Sequence, residues 1–509
     1  MSKRISLNLV GQVVSFLCSL GISFFVTPFV VSGLGKEVYG FVNLATSFTS
    51  YITLFTIAIT SMLSRYVTVE YHRKKYEHAS QYFSTAVITQ LLLAMILLVP
   101  AMLFTSSMEQ YVDISPNNVF DVKILWALVF LSFLISLPGG CYSVGSFASN
   151  RLDLRAVVTI ISNIVKAAVL ILAFLMFPAK VWYIGIATIL AQIITIVGDV
   201  LIKKRHLPQV ELGLRHYKIS SIYDLVVVGI WNSFSRLSQI LNTGLDLLLT
   251  NIFINGTEMG LLSIAKAIPA QLGNLAGSVY NAFEPSMTIV YSEDVKDEFV
   301  NITQYAMKLN GFICCIPMMG FLCFGKAFYR LWMPSLTTQE IDKVFILAIL
   351  TMLPQLLEIY VQPLYAVNTI TKKLSIPVVV NVLQGLMNII LVFLCLKTTS
   401  LGVYAIAGVS SILSIIRICT FMPVYAAKCV DSNWGCFYGP LVRGLINTFC
   451  IVSLFTLVVL VVDINSWAKL IFMAVICGMF GYLVSLNIMF KKEERRRFVN
   501  TVRSKIYKK

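Results

Sequence analysis

One stretch of this chain combines the length of a membrane-spanning helix with residues that bind ions and polar groups. It reads WNSFSRLSQILNTGLDLLLTN and runs from Trp231 to Asn251. A charged side chain at mid-bilayer costs about 2.5–3.5 kcal/mol on insertion scales, so such residues face a protein interior or a water-filled cavity. The polar residues recur every three or four positions, which predicts one cavity-lining helix face: Asn232, Arg236, Gln239, Thr243, Asp246 and Thr250.

The acid of this stretch has two possible roles. Asp246 lies about ten residues before the turn near Gly256, and Lys266 lies about ten residues after it. At a rise of about 1.5 Å per residue, both side chains are about 15 Å deep. They either form a structural ion pair across the hairpin, or they leave Asp246 as a cation or proton site. The sequence keeps both interpretations open.

Four other basic residues lie well inside predicted spans, each in the cytoplasmic half of the membrane. Lys308 and Arg417 could snorkel to the headgroups instead of lining a cavity, and both interpretations stay open. Arg236 and Lys166 lie deeper, beside asparagines, which favours a cavity role. A cationic cavity facing the cytoplasm suits an anionic substrate. We therefore predict an anionic-headgroup site formed by Arg236, Lys166, Asn232, Gln239, Arg417 and Lys308.

A second acid lies in a span that two prolines interrupt. TMLPQLLEIYVQPLYAVNT contains Pro354 and Pro363, with Glu358 between them. Proline removes a backbone donor and predicts a bend that neighbouring groups must satisfy. Glu358 is a candidate proton or sodium ligand, because a lone acid in a membrane is functional by default. The alternative is a structural pair with Arg417.

The elements that hold these residues follow from the composition. The chain has 509 residues, of which 58% are hydrophobic and 13% charged, and its mean hydropathy is +0.82. Spanning helices need about 20 mainly apolar residues. This predicts an all-α polytopic membrane protein with about fourteen spans. The expected spans are 7–32, 38–64, 79–106, 122–148, 155–177, 181–202, 221–254, 257–290, 299–325, 342–368, 374–397, 401–427, 440–463 and 467–490.

The charge distribution sets the expected orientation. The net charge of +16 comes from 40 Lys and Arg against 24 Asp and Glu. Most of the basic residues fall at the termini and in the even-numbered loops, as the positive-inside rule requires when both termini are cytoplasmic. The basic residues therefore indicate contact with lipid headgroups rather than nucleic acid.

Several functional classes are disfavoured by what the sequence lacks. No loop reaches the length of an independently folding domain, and no sugar-nucleotide, P-loop or ATPase motif is present, so we expect no enzymatic activity. The eleven cysteines are scattered, mostly within spans, and the four histidines are predicted in loops. We therefore expect neither a metal site, a disulfide framework nor a cofactor.

The chain resembles itself at an offset of 220 residues. YGFVNLA from Tyr39 aligns with MGLLSIA from Met259, which pairs Gly40 with Gly260. The offset superposes span one on span seven and span two on span eight, as in transporters built from two similarly oriented halves. We predict an N-terminal lobe at 1–205, a cytoplasmic linker at 206–220, a C-terminal lobe at 221–430, two further spans at 431–490 and a basic tail at 491–509.

These features together resemble the bacterial polysaccharide transporters, the flippases for O-antigen, capsule and exopolysaccharide units. The residues that carry the resemblance are VSGLGKEVYGFVNLATS before and within span two and SRYVTVEY at its end, with the six-plus-six repeat. The same superfamily contains the MATE drug exporters and the peptidoglycan lipid flippase. The resemblance implies two MATE-like helix bundles with alternating access in the inner membrane. It also implies an undecaprenyl-diphosphate-linked oligosaccharide as substrate, with polymerase and glycosyltransferase partners.

The alternative within this superfamily is a cation-coupled drug or metabolite exporter. Proton-coupled exporters typically have an aspartate in span one, whereas residues 7–32 contain no acid and Val26 stands at the repeat equivalent of Asp246. Sodium-type exporters have acids in spans seven and ten, as Asp246 and Glu358 are here. Coupling to H⁺ or Na⁺ therefore stays open.

Overall fold

A computed structural model describes residues 3–281, 283, 287–288, 290–291, 296–371, 373–490, 492 and 494–496. The remainder of the predicted basic tail, from residue 497 onward, lies outside the described residues. Within the described part, the secondary structure is helical and contains no strand. The protein is an all-α polytopic membrane protein, as the composition predicts.

The chain divides into two compact units. The first comprises residues 1–263 and 378–389, and the second comprises 264–377 and 390–509. The predicted lobe and linker boundaries follow pseudo-symmetry rather than compactness, and they stay predictions.

In the first part of the chain the helices are α1 (Lys3–Leu34), α2 (Lys36–His72), α3 (Tyr76–Ser107), α4 (Val119–Gly140), α5 (Val144–Ala148), α6 (Leu152–Met176), α7 (Trp182–His206), α8 (Ile219–Gln239), α9 (Asp246–Phe253) and α10 (Gly256–Asn281).

Seven helices follow in the described part of the chain. They are α11 (Lys296–Trp332), α12 (Thr338–Val361), α13 (Pro363–Ile370), α14 (Ser375–Thr398), α15 (Val403–Cys429), α16 (Tyr438–Val461) and α17 (Trp467–Met489). In the second unit, α12, α16 and α17 pack against α11, and α15 packs against α12. The central position of α11 agrees with the many buried residues along its length.

Among the described residues, eleven helices are long and apolar enough to cross a membrane. They correspond to predicted spans two to six and nine to fourteen. The first, seventh and eighth predicted spans are also helical, as α1, the pair α8 and α9, and α10. In α1 a shorter apolar stretch, Cys18–Leu34, meets the apolar criterion. Spans seven and eight carry the charges Arg236, Asp246 and Lys266.

In the first unit, α2 packs against α3, α4 and α8, while α6 packs against α1 and α7. The crossing of α2 and α8 depends on Gly229. A Cβ atom at that position would lie only 1.9 Å from the carbonyl oxygen of Ala58. Only glycine permits such a close backbone approach without a shift of one helix. This close packing fixes the first half of span seven against span two.

Residues related by the 220-residue offset meet within the first unit. A Cβ atom at Gly40 would lie 2.9 Å from the α-carbon of Gly260, so the two glycines mark a close helix approach. One turn further along, the Asn43 amide donates to the Ser263 hydroxyl at 2.5 Å, again across 220 positions. Both contacts join positions that the 220-residue offset pairs, whereas the division into two similar halves stays a prediction.

The loop that enters α8 is attached to the first unit by side-chain hydroxyls of α3. Ser84 donates to the carbonyl oxygen of Glu211 at 3.0 Å and accepts from the Gly213 amide at 3.2 Å. Ser80 accepts from the Glu211 amide, and Thr85 accepts from the Lys218 amide, both at 3.0 Å. The backbone before α8 is therefore bonded to a neighbouring helix instead of acting as a loose tether.

Proline residues bend several helices of the second unit. Each proline lacks an amide hydrogen, so the carbonyl four residues earlier loses its normal donor. In the second unit, a side chain supplies that donor at five positions. The bonds are Tyr329 Oη to Ala265 O for Pro269 (3.2 Å), Tyr482 Oη to Ile313 O for Pro317 (3.1 Å), Ser411 Oγ to Leu350 O for Pro354 (2.5 Å), Asn310 Nδ2 to Ile359 O for Pro363 (2.7 Å) and Tyr438 Oη to Cys419 O for Pro423 (2.9 Å).

Candidate functional site

Span seven is not one continuous α-helix. Between α8 and α9, residues Ile240–Gly244 form a π-helical turn, in which the Leu245 amide donates to the carbonyl of Ile240 at 3.1 Å. Such turns insert an extra residue into a helix, disturb its hydrogen-bond ladder and occur frequently at functional sites. The interruption lies within the polar stripe, between Gln239 and Asp246. The sequence pattern did not predict this break.

The side chain of Asn388 on α14 donates to the backbone of the π-helical turn. Asn388, whose side chain is 1% exposed, places Nδ2 3.3 Å from the carbonyl oxygens of both Leu241 and Asn242. The Asn242 amide in turn donates to the carbonyl of Asn381 at 2.9 Å. A Cβ at Gly385 would lie 2.4 Å from Cβ of Leu241, so glycine lets the helices approach. Span eleven therefore holds the interrupted helix in place.

Asp246 is the first residue of α9 and is 2% exposed. A helix N-terminus carries a partial positive charge that stabilises a carboxylate. The preceding turn is anchored by Tyr51 of α2, whose hydroxyl donates to the carbonyl of Gly244 at 2.5 Å. Asp246 thus lies in a constrained interior position. It belongs to the first unit, and the half-buried Lys266 belongs to the second, so their predicted ion pair stays a prediction.

Arg236 and Gln239 lie together on the N-terminal side of the π-helical turn. Arg236 Nη1 donates to Gln239 Oε1 at 2.9 Å. The Nε atom of Arg236 is buried and has no hydrogen-bond partner among the described residues. Asn232, one turn earlier, donates to the Ser61 hydroxyl of α2 at 3.0 Å. Asn232 therefore holds α8 against α2, whereas the Arg236 guanidinium retains a donor that an anion can use.

Lys166 lies on α6 and lines a cavity of about 240 Å³ within the first unit. Asn163, one turn earlier, donates to the Ser19 hydroxyl of α1 at 2.6 Å. Both of these polar residues line the same cavity. The structure thus brings together Lys166 and Asn163, which are also neighbours in sequence.

Glu358 and Arg417 share an intervening tyrosine. The Tyr365 hydroxyl donates to Glu358 Oε1 at 2.8 Å and accepts from Arg417 Nη1 at 3.2 Å. These residues lie on α12, α13 and α15, so the network connects both sides of the Pro363 bend to a neighbouring helix. Hydrogen bonds and opposite charge offset the cost of placing an acid and a base inside a membrane protein. Both charged residues were predicted from the sequence, whereas Tyr365 was missed.

Lys308 of α11 has a partner that the sequence did not predict. Its side chain is 7% exposed, and Nζ lies 2.6 Å from Oε1 of Glu494. Glu494 follows the last spanning helix, so this pair attaches the segment after α17 to the interior of the second unit. The ion pair explains how a lysine can be buried on that helix without an acid nearby in sequence.

The sequence contains signals for two of the contacts that were not predicted, those of α14 and of Tyr365. Asn381, Gly385 and Asn388 are spaced by four and three in the otherwise apolar span eleven, which is the pattern of a polar helix contact face. Tyr365 follows Pro363 by two residues, where the bend needs neighbouring polar groups. Glu494 had no such signal, because its bond with Lys308 crosses 186 positions of sequence.

Comparisons with known proteins agree with this architecture. A family model described as "Polysaccharide biosynthesis protein" matches residues 3–288, more than half of the chain. The "Uncharacterized membrane protein EpsK" of Bacillus subtilis (strain 168) is 24% identical over 494 residues, covering 97% of each chain.

Solved structures share the fold. Lipid II flippase MurJ in an inward closed conformation has a TM-score of 0.69 at 17% identity, covering 95% of this chain and 98% of its own. An inward-facing multidrug resistance MATE transporter of the MOP superfamily has a TM-score of 0.66 at 14% identity, covering 82% and 94%. At these identities the likeness concerns the fold. The family match and the helical architecture together place this chain in the polysaccharide biosynthesis protein family.

Proposed function

We propose that this protein is a flippase rather than an enzyme. It moves an undecaprenyl-diphosphate-linked oligosaccharide, an O-antigen, capsule or exopolysaccharide unit, from the cytoplasmic to the outer leaflet by alternating access. It acts in the bacterial inner membrane with both termini cytoplasmic, alongside glycosyltransferases and a polymerase. Family membership and a fold like that of a lipid II flippase support this function.

The observation that carries the proposal is the environment of Arg236. Its guanidinium lies on the polar face of span seven, is joined to Gln239 and has a buried Nε without a partner among the described residues. Arginine presents several donors in a planar fork that matches phosphate oxygens. A diphosphate headgroup supplies the acceptors that this residue needs, and Gln239 orients the fork.

The remaining cations have secondary roles in this proposal. Lys308 and Arg417 are already engaged, by Glu494 and by Tyr365 with Glu358 respectively. They bind the headgroup only during transport, when their bonds to Glu494 and Tyr365 are replaced by bonds to the headgroup. Asn232 fixes α8 against α2 through Ser61 and so orients the helix face that carries Arg236.

Ion coupling is assigned to the buried Asp246 and the partly buried Glu358. Asp246 at the start of α9 and Glu358 beside the Pro363 bend both lie at interruptions of spanning helices. Binding of H⁺ or Na⁺ at either carboxylate changes the local charge where the helix can bend, which is how discontinuous helices in transporters couple ions to movement. Lys266 either competes with the ion at Asp246 or balances that charge.

The test is replacement of Arg236 in a strain that depends on this protein for surface polysaccharide. We expect Arg236→Ala to reduce surface polysaccharide by more than tenfold while membrane levels of the protein stay normal, because a buried charge-assisted phosphate contact is worth about 1.5–3 kcal/mol. Arg236→Lys should recover only part of the function. Arg73→Ala, at a side chain that is 63% exposed, is the matched control. Normal polysaccharide in Arg236→Ala would contradict the proposal.

The second candidate is a cation-coupled drug or metabolite exporter, and the burial of Asp246 favours it. Dye efflux in the same strains separates the two functions. An exporter loses dye efflux in Asp246→Asn while surface polysaccharide remains normal. The flippase shows the opposite pattern, with loss of polysaccharide and dye retention equal to that of a strain lacking the protein.

A further inference from the structure

The cavity beside Lys166 is lined by seven apolar and five polar residues, and its lining contains no acid. It lies among α1, α2, α6 and α7 and has a volume of about 240 Å³. Each polar residue in the lining carries an N–H or O–H donor. These residues are Ser19, Thr27, Tyr39, Asn163 and Lys166.

Lys166 has no counter-charge within the described part of the unit. No hydrogen bond or ion pair joins its Nζ to a described residue, and α1 contains no acid in its sequence. The acids of the other three helices have partners elsewhere. These pairs are Glu37 with Ser115, Glu70 with Arg73, Asp153 with Arg151 and Asp199 with Arg155.

The donors of the cavity are held in place by their neighbours. Asn163 is fixed by its 2.6 Å bond to Ser19. The Tyr39 hydroxyl interacts with the side chains of Thr27 and Asn43. These interactions connect α1, α2 and α6 beside the cavity. An ammonium within a membrane-spanning helix is costly unless a counter-charge offsets it.

The 220-residue offset indicates where an acid could have stood in this cavity and does not. Val26 lines this cavity and stands 220 positions before Asp246, so the first half has an apolar residue where the second half has an acid. A cation in this cavity would meet Lys166 and no carboxylate in the lining. The chemistry of the lining therefore selects an anion.

We infer that the cavity beside Lys166 binds a small monovalent anion of chloride size, with Lys166 supplying the charge and neighbouring donors supplying hydrogen bonds. A water molecule occupies about 30 Å³, so 240 Å³ accommodates such an ion with several waters. A diphosphate with several attached sugars exceeds that space. The site therefore differs from the headgroup role predicted for Lys166 from sequence, and it does not depend on the proposed flippase function.

The test compares anions in purified protein at constant ionic strength. Gluconate, a much bulkier anion than a halide, is the reference, and chloride or bromide replaces it stepwise while the Tm is followed. We expect a saturable rise in Tm with either halide. Lys166→Gln should weaken the apparent halide affinity at least about tenfold, which corresponds to about 1.4 kcal/mol. Lys166→Arg should keep the response, and so should Lys180→Gln, whose side chain is 46% exposed and pairs with Asp121.

A second measurement covers the case in which Lys166 variants do not fold. Wild-type crystals grown in bromide should show anomalous density beside Lys166 Nζ. A halide-independent Tm together with an empty cavity in those crystals would overturn the inference. Stabilisation by inorganic or undecaprenyl diphosphate without any halide response would also overturn it, and would assign the cavity to the headgroup. Arg236→Ala should retain the halide response, which separates failure of this site from failure of the flippase proposal.

Discussion

The two compact units treat their proline bends differently. In the second unit, five carbonyl oxygens that prolines leave without an amide donor receive a side-chain hydroxyl or amide instead. In the first unit, Pro100 and Pro138 lie within α3 and α4. The corresponding carbonyls of Ile96 and Leu134 receive no side-chain hydrogen bond from the described residues.

The two groups of prolines therefore differ in one respect. In the second unit a side-chain donor bonds to the freed carbonyl, whereas in α3 and α4 no described side chain does. In the second unit the donor comes from a different helix or helical segment, so straightening the bend would break a tertiary hydrogen bond. In α3 and α4 no such bond from the described residues resists a change in curvature. Side-chain hydrogen bonds within membranes average about 0.6 kcal/mol and reach about 1.7 kcal/mol. Five of them are a substantial share of the stability of one unit.

The largest effect is expected at Asn310, the buried residue that serves the Pro363 bend. Asn310 is 0% exposed and donates to both the Ile359 carbonyl and Gln362 Oε1. Asn310→Leu should lower the free energy of unfolding by about 1–3 kcal/mol, because it leaves two buried acceptors without a donor. Unfolding by SDS titration in mixed micelles measures the change. Asn301→Leu, at an exposed position on the same helix, should change stability by less than about 0.5 kcal/mol.

An Asn310→Leu variant as stable as the Asn301→Leu control would show that the capped bend does not depend on its donor. The contrast between the units would then lose its energetic meaning.

A smaller effect is expected when only a hydroxyl is removed. Tyr482→Phe and Tyr329→Phe each delete one bond, to Ile313 and Ala265 respectively, and keep the ring in place. Each should cost about 0.6–1.7 kcal/mol by the same titration. Tyr404→Phe is the matched control, because the Tyr404 hydroxyl bonds to no described residue. Equal stability of all three variants would count against a role for the hydroxyls.

The smallest effect, and the most direct comparison of the units, comes from the prolines themselves. Pro100→Ala supplies an amide hydrogen to a carbonyl that has no side-chain donor among the described residues, whereas Pro317→Ala supplies one to a carbonyl already bonded by Tyr482. We expect Pro100→Ala to be more favourable than Pro317→Ala by about 1 kcal/mol, since the entropic cost of losing proline is common to both. The same SDS titration measures both variants.

A double-mutant cycle sharpens this last comparison. In a Tyr482→Phe background, Pro317→Ala should become more favourable than in the wild type, because Ile313 has lost its tyrosine donor. Strictly additive effects of the two substitutions would contradict the proposed exchange of donors.

The units also differ in the partners of the cations within their helices. In the second unit, Arg417 is joined through Tyr365 to Glu358, and Lys308 is paired with Glu494. In the first unit, Lys166 has no such partner among the described residues. This difference is what makes the cavity beside Lys166 a candidate for an external anion, while Lys308 and Arg417 each have a bonding partner within the chain.

Much of this organisation could be predicted from local patterns. Hydropathy predicted the helical membrane architecture, whereas the cavity-lining face of span seven stays a prediction. The 220-residue offset matched Gly40 to Gly260, which the structure places side by side. The sequence also predicts Arg417 as a possible partner of Glu358, and the structure joins the two through Tyr365. Such features are readable because they depend on residues close in sequence or on repeated spacing.

Other features depended on long-range packing that no local pattern specifies. The π-helical turn at Ile240–Gly244 requires Asn388 of α14 and Tyr51 of α2 to satisfy its surroundings, and both are distant in sequence. The roles of the headgroup residues stay predictions that the experiments above test.

Sequence alone was sufficient for the helical membrane architecture, because a membrane requires long apolar helices whose backbone groups are bonded internally. Only the tertiary structure decided which charges find partners and which bends are capped. The reason is that hydrogen bonds and ion pairs act over about 3–4 Å, so helix packing determines whether Lys308 meets Glu494 and whether Lys166 remains without a counter-charge among the described residues.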